Sequence, residues 1–192
     1  MRRPLSLVYV ILLLTSIVIY SCFEEDTIVP IPEPGDVETR TAELGEKYGK
    51  QIYFDLNTQE FVSTNEIEDW DLAFQASKDG WHILLNSSRT MYAGNTQSKT
   101  FESVIGDPGV EMTFDHSSGN LDSTAIGKWF EIQGETAISK NFVYIIDRGT
   151  DVDFASMGKK KMSISIINDN YQIRYADLNG ENEILDQISK NE

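Results

Sequence analysis

The sequence predicts an all-β fold, either an antiparallel sandwich or an open-barrel-like stack of sheets with short helical turns. Three observations support this prediction. Several segments alternate apolar and polar residues with a period of two, which is typical of half-buried strands. Turn-forming residues separate these segments at short intervals. After the apolar leader at the amino terminus, no segment shows a convincing 3.6-residue helical period.

The elements follow in order from this alternation. Residues 51–56, QIYFDL, and residues 60–64, EFVST, are predicted to form a hairpin across a short turn. One or two turns of helix are expected within ELGEKYG and within DSTAIGKWF. Further strands are predicted in DWDLAFQ, WHILLNSS, TMYAGNT, VEMTFD, KWFEI, NFVYIID, KMSISII and YQIRYADL.

The stretch DWDLAF places three large apolar residues at alternate positions. Trp70, Leu72 and Phe74 are therefore predicted to face the core. Asp69 and Asp71 are expected on the outward face or at a sheet edge, where charges oppose pairing with other chains.

The chain ends in a polar run just after one more predicted strand, residues 184–188. A last strand normally closes or covers a sheet, so we expect the sequence to be a fragment, or a further strand or a second domain to follow. A frayed natural terminus is the alternative.

The amino terminus has the features of an export signal. Two arginines precede an apolar run of 16 residues, which is short for a membrane-spanning helix and suits a secretory signal. The run ends in Ile-Tyr-Ser-Cys, which resembles the lipobox of bacterial lipoproteins and predicts lipidation at Cys22. An uncleaved anchor helix is the alternative. The acidic residues after Cys22 resemble a tag for export to the outer cell surface.

Composition divides the rest of the chain in two. Prolines at every second position in VPIPEPGD predict a semi-rigid spacer. The predicted organisation is therefore a signal peptide over residues 1–21, an acidic, proline-rich tether over 22–47, and an all-β domain over 48–192.

Charge and motif content exclude several functions. The formal net charge of −15 opposes binding to nucleic acid. A single cysteine rules out an intrachain disulfide and a zinc site built on several cysteines. The chain lacks the nucleophile-elbow, zinc-protease, P-loop and dinucleotide-binding motifs. A cluster of acids at residues 66–71 is better explained as a solvated edge than as a glycosidase pair, so we predict no enzyme and no metal-ion site.

The pattern of the body resembles the HmuY-like family of bacterial surface lipoproteins. The resemblance covers about residues 48–182 and includes GKWFEI, FVYIIDRGTD and MSISIINDNYQIRYADLNG. Its first half is carried by Tyr53, Phe54, Asp55, Leu56, Trp70, Asp71, Leu72, Ala73, Phe74, Leu85 and Asn86.

This resemblance implies an all-β fold, likened to a hand, that grips one haem between two finger-like hairpins. It also implies an outer-membrane lipoprotein, exposed at the cell surface, that passes haem to a TonB-dependent receptor. In the family the iron is held by two axial side chains, His in some members and Met in others.

Candidate ligands follow from the resemblance and from the preference of haem iron for imidazole and thioether donors. The region that holds the first family ligand contains Met91, Met112 and His116. If VEMTFD continues as a strand, Met112 and His116 share one face. The second family position reads Ile-Gln-Gly at 132–134 and has no such donor. The alternative is therefore an accessory or interaction module of an uptake system that does not bind haem.

Overall fold

The computed structural model describes residue 35 and residues 38–78 and 80–190. The chain divides into two compact units, Met1–Thr41 and Ala42–Glu192. The leader, Cys22 and most of the predicted tether lie outside the described residues, so the predicted signal peptide and lipidation site remain predictions. The description below concerns the second unit.

The described residues confirm the all-β prediction. Short 3-10 turns occur at Glu46–Tyr48, Ser87–Arg89, Phe101–Ser103 and Leu121–Ser123. The strands in chain order are β1 (Lys50–Asp55), β2 (Glu60–Glu66), β3 (Leu72–Phe74), β4 (Ile83–Leu85), β5 (Tyr92–Asn95), β6 (Phe130–Gln133), β7 (Thr136–Ser139), β8 (Val143–Asp147), β9 (Lys159–Ile167), β10 (Asn170–Asp177) and β11 (Ile184–Ile188).

One five-stranded antiparallel sheet organises the unit, with the spatial order β11-β10-β9-β8-β5. Within residues 38–78 and 80–190, three two-stranded antiparallel hairpins, β1-β2, β3-β4 and β6-β7, accompany it, and none of these sheets closes into a barrel. The hairpin β9-β10 is joined by a tight turn in which Asn168 and Asp169 adopt positive φ. These residue types tolerate that conformation, which is why the chain reverses there.

The two faces of the five-stranded sheet carry separate apolar clusters. On one face, Tyr144, Ile146 and Met162 pack with Trp81 and Trp129 in the main core. On the other face, a smaller cluster contains Phe101, Val104, Val143, Ile145 and Ala176. The alternation of adjacent residues along β8 between these clusters is the period-two pattern that the sequence displays.

Two local predictions are wrong. VEMTFD forms no regular strand and contributes only one bridge, between Thr113 and Ala93. Asp71 is not an outward edge charge, because its carboxylate is held by Arg89 and Arg148. The hairpin partner β7 was not predicted, since TAIS is short and lies next to a glycine turn.

Candidate functional site

Asp115 fixes the segment that carries the predicted ligand His116. Its Oδ2 accepts the Leu85 backbone N–H at 2.7 Å, and its Oδ1 accepts the Ala125 N–H at 2.7 Å. One carboxylate therefore connects both ends of the 116–124 loop to Leu85, the last residue of β4. Such charge-assisted bonds hold a loop that has few apolar contacts of its own.

His116 itself is exposed on this loop. Its backbone N–H donates to the Ser123 carbonyl at 3.4 Å, and its Nδ1 accepts the Ser118 N–H at 3.2 Å. A neutral ring that accepts at Nδ1 carries its proton on Nε2. Iron binding at Nε2 therefore requires the proton to move to Nδ1. This breaks the hydrogen bond that Nδ1 accepts from Ser118, at a cost of about 1 kcal/mol for one neutral bond.

Met91 lies beside the same loop, at the wall of a cavity of about 210 Å³ that Phe114 and Asp115 also line. The methionine is only 2% exposed and belongs to the main core. Phe114 is 61% exposed and packs edge-to-face on Tyr92, with ring centroids 6.0 Å apart. An aromatic surface and an exposed imidazole therefore lie two residues apart, next to a buried thioether.

Met112 is placed elsewhere. It packs against the smaller apolar cluster, on the face of the sheet opposite to Met91. Its sulfur lies 2.8 Å from the position that a Cβ on Gly94 would occupy, so the 110–113 segment depends on the absence of a side chain there. The structure thus brings His116 near the Met91 cavity, and it does not bring Met112 to the same place.

His82 is a second imidazole whose geometry the sequence did not reveal. Its Nδ1 lies 2.7 Å from Gln75 Oε1, which can only accept, so Nδ1 donates this hydrogen bond. Nε2 lies 3.6 Å from Asp122 Oδ1, in the turn Leu121–Ser123. Both histidines of the chain therefore flank this turn, because His116 bonds to the carbonyl of Ser123. No sequence signal marks the Gln75 contact, which forms across the β3-β4 hairpin.

The β6-β7 hairpin borders a larger cleft of about 530 Å³. The cleft is lined by both apolar and charged side chains, among them Trp81, Ile132, Glu135 and Lys78. The residues at 132–134, which stand at the second family ligand position, form the end of β6 and the start of its turn. The volume of the cleft falls in the ~300–1,000 Å³ range of ligand sites, but no His or Met is among the described residues that line it.

A family model described as HmuY protein matches residues 47–190, three quarters of the chain. The chain belongs to the HmuY family. This family is associated with haem binding and uptake and is not an enzyme family. No curated protein and no solved structure gives a significant match to this chain.

The donors of this HmuY-family chain can be compared with what haem requires. The exposed imidazole of His116 fits a single axial ligand, and the described residues that line the cleft of about 530 Å³ include no imidazole or thioether that could serve as a second one. Within the same residues, no group of three or more His, Cys, Asp or Glu side chains could hold a metal ion. No helix that the structure describes is long and apolar enough to cross a bilayer.

Proposed function

We propose that this protein binds haem at the cell surface for uptake, held to the outer membrane by lipid on Cys22. His116 provides one axial ligand, and Phe114 and Tyr92 provide the aromatic surface against which the macrocycle packs. Haem would supply the iron and the porphyrin ring, and the role of the protein is to hold and orient them. The transfer partner proposed is a TonB-dependent receptor.

The observation that carries this proposal is the pairing of an exposed imidazole with an exposed aromatic ring on one anchored segment. Asp115 lies between the two in sequence and is held to Leu85 and Ala125, which restricts the backbone that joins Phe114 to His116. Met91 supplies a polarizable sulfur at the adjacent cavity wall, which suits contact with a flat aromatic ligand. A site with one axial ligand releases haem more easily than a two-ligand clamp, as a transfer protein requires.

A hemin titration of the full-length chain in lipid nanodiscs tests the proposal, with empty nanodiscs as the blank. We expect a saturable Soret shift in the wild type, and loss of most of that shift in His116→Ala. Met91→Leu keeps the volume but removes the sulfur, and should weaken binding by less than tenfold. His82→Gln is the matched control and should leave the spectrum unchanged.

The possible outcomes separate the assignments. A shift that survives His116→Ala but disappears in His82→Gln would move the axial ligand to His82. A wild type without any saturable shift would contradict haem binding altogether. Electron paramagnetic resonance of the ferric complex provides a second readout, because one axial imidazole gives a high-spin iron and two give a low-spin iron.

A specific feature favours the second candidate, an interaction module that does not bind haem. The β1-β2 hairpin exposes a row of large apolar side chains, with Leu56 at its turn 85% exposed. The others are Tyr53, Phe54, Phe61 and Val62. Exposed apolar surface of this kind marks protein contacts. If this second candidate is right, the double variant Leu56→Ser, Val62→Thr should abolish co-purification with a TonB-dependent receptor co-expressed from the same organism, whereas His116→Ala should not.

A further inference from the structure

The five-stranded sheet has one covered edge and one open edge. At the β5 edge, the N–H of Ala93 donates to the Thr113 carbonyl at 2.8 Å, and the N–H of Thr113 donates to the Ala93 carbonyl at 2.9 Å. At the opposite edge, β11 pairs with β10 alone, and no other strand of the described residues adjoins it. The outer side of β11 is therefore available for a further strand.

The phase of the hydrogen bonds shows which backbone groups of β11 point outward. The N–H of Arg148 donates to the Gly158 carbonyl at 3.0 Å, next to the paired ends of β8 and β9. Residues of an antiparallel strand direct their N–H and C=O groups alternately to the two sides. Carried through the unbroken registers from β8 to β11, this alternation directs the N–H and C=O groups of Leu185 and Gln187 away from β10.

The sequence of β11 has few of the features that protect an exposed edge. Ile184 and Leu185 are 44% and 61% exposed, and the next two residues are also exposed. The strand contains no proline and no lysine, its register with β10 has no bulge, and Asp186 is its single charged residue. An apolar edge of this kind tends to pair with other chains. The edge therefore fits a binding surface for an extended segment.

Both faces of this edge carry an excess of acid. Asp186 accepts the Tyr175 hydroxyl at 3.0 Å and has no cationic partner among residues 38–78 and 80–190. On the other face, Arg174 pairs with two carboxylates, those of Glu102 and Glu183, at 2.8 Å each. Opposite charges on neighbouring strands stabilise their pairing. An incoming strand with a Lys or Arg side chain opposite Asp186 is therefore favoured.

The neighbouring cations do not offset this excess. Lys160 lies on the same face as Asp186 but pairs with Asp177, so these two residues add no net charge. Lys190 follows the other end of β11, where it is buried with its Nζ over the Trp81 ring. The formal net charge of −15 also opposes pairing of this edge with a second copy of the chain.

We propose that the outer edge of β11 binds an extended segment of another protein, which adds to the five-stranded sheet as a sixth strand. The segment alternates apolar residues, which lie beside Leu185, with a Lys or Arg side chain opposite Asp186. Its backbone bonds to the outward N–H and C=O groups of Leu185 and Gln187. This surface contains neither His116 nor any residue of the β1-β2 hairpin, so the inference goes beyond the function proposed above and does not depend on it.

A fluorophore-labelled basic peptide, Thr-Val-Lys-Val-Thr-Val-amide, tests this proposal on the full-length chain in lipid nanodiscs. Fluorescence anisotropy measures binding, and hydrogen exchange followed by mass spectrometry with single-amide resolution locates it. We expect saturable binding that slows exchange at Leu185 and Gln187 by about tenfold or more, because these amides gain hydrogen bonds. The amides of Asp186 and Ile188 already face β10 and should change much less.

Variants separate strand pairing from general effects. Gln187→Pro removes one outward N–H, which an edge strand tolerates, and should abolish binding. Gln187→Thr keeps that N–H and is the matched control, so its affinity should be nearly that of the wild type. Slow exchange at the Asp186 and Ile188 amides of Gln187→Pro shows that β11 is still paired with β10.

Charge reversal tests the chemistry of the partner. Glutamate in place of the peptide lysine should weaken binding about fivefold, and Asp186→Lys should reverse this preference. Binding that Gln187→Pro leaves intact, or an unchanged preference for lysine in Asp186→Lys, would overturn the proposal, as would the absence of saturable binding. Slow exchange of the Leu185 and Gln187 amides without peptide would overturn it as well, because another segment of the chain or a second copy would then cover the edge.

Discussion

Arg89 and Asp71 form an ion pair in which the guanidinium side chain has no exposed surface. Arg89 Nη1 lies 2.5 Å from Asp71 Oδ1, and Arg89 is the last residue of the 3-10 turn Ser87–Arg89 that follows β4. A fully buried arginine is costly unless its charge is compensated. Asp71 therefore holds together the start of β3, the end of β4 and, through Arg148, the end of β8.

Asp71→Asn should strongly reduce the free energy of unfolding. The substitution keeps the volume but leaves Arg89 buried without its counter-charge, and breaking one side of a buried pair costs about 3–5 kcal/mol. We expect a loss toward the lower end of that range, because Asp71 itself is partly exposed. Urea unfolding followed by tryptophan fluorescence measures it. Asp153→Asn, at an exposed pair with Lys47, is the control and should cost less than about 1 kcal/mol.

Trp129→Phe should destabilise the core more than its change in volume suggests. Trp129 Nε1 donates to the Trp81 carbonyl at 2.7 Å in a buried site, and Phe leaves that carbonyl without its partner. An unsatisfied buried group costs about 1–3 kcal/mol. Trp70→Phe is the matched control, since Trp70 Nε1 bonds to Gln51 in a partly exposed place. Equal urea midpoints for the two variants would contradict this role of Trp129.

Stability should fall at alkaline pH because of Tyr144. Burial raises the pKa of Tyr144 from its ordinary value of 10.0 to about 12. The unfolded chain therefore releases this proton first, and the contribution to stability is complete below about pH 10 and is lost as the pH rises through 12. Burial also raises the pKa of Tyr171. Tyr144→Phe should shift the alkaline unfolding midpoint upward, as followed by tyrosinate absorbance and circular dichroism. Tyr53→Phe, at an exposed ring, should leave that midpoint unchanged.

The sequence predicts the strands well where one face is buried and the other is not. Alternation along NFVYIID and KMSISII matches β8 and β9, and the predicted strand over residues 184–188 is β11. The failure at VEMTFD has a physical reason. Its apolar residues serve two environments, because Met112 packs on one cluster while Phe114 stays exposed against Tyr92. An alternating pattern alone does not distinguish such an irregular segment from a strand.

The candidate site could be predicted only in part. Residue type, together with the region that the family resemblance assigns to the first ligand, selects His116, Met91 and Met112, but the sequence does not contain the distances among them. The structure separates Met112 from the other two because Gly94 and the second apolar cluster draw its segment to the opposite face of the sheet. The hydrogen bond between His82 and Gln75 and the ion pairs of Asp71 with Arg89 and Arg148 form between side chains that are separated in sequence. Such contacts leave no local pattern to detect.

Gly149→Ala tests how closely the chain must approach Arg89. Gly149 has a φ of +69°, and a Cβ there would lie 1.8 Å from the Arg89 carbonyl oxygen. Gly158 has a similar φ of +78° but no heavy atom within 4 Å of its Cβ position. The left-handed conformation costs an alanine about 1–2 kcal/mol at either site. Gly149→Ala adds a clash with backbone, so we expect it to cost at least about 2 kcal/mol more than Gly158→Ala.

The same comparison reveals whether the clash acts through the buried ion pair. Displacing the backbone of Arg89 should weaken its contact with Asp71, so Gly149→Ala and Asp71→Asn should destabilise by less than the sum of their separate effects. Residues that share a partner couple in this way, by about 0.5–3 kcal/mol. Gly158→Ala should be additive with Asp71→Asn. Urea unfolding of the three single and two double variants decides the matter, because additivity for both glycines would show that Gly149 and the Arg89–Asp71 pair stabilise the fold independently.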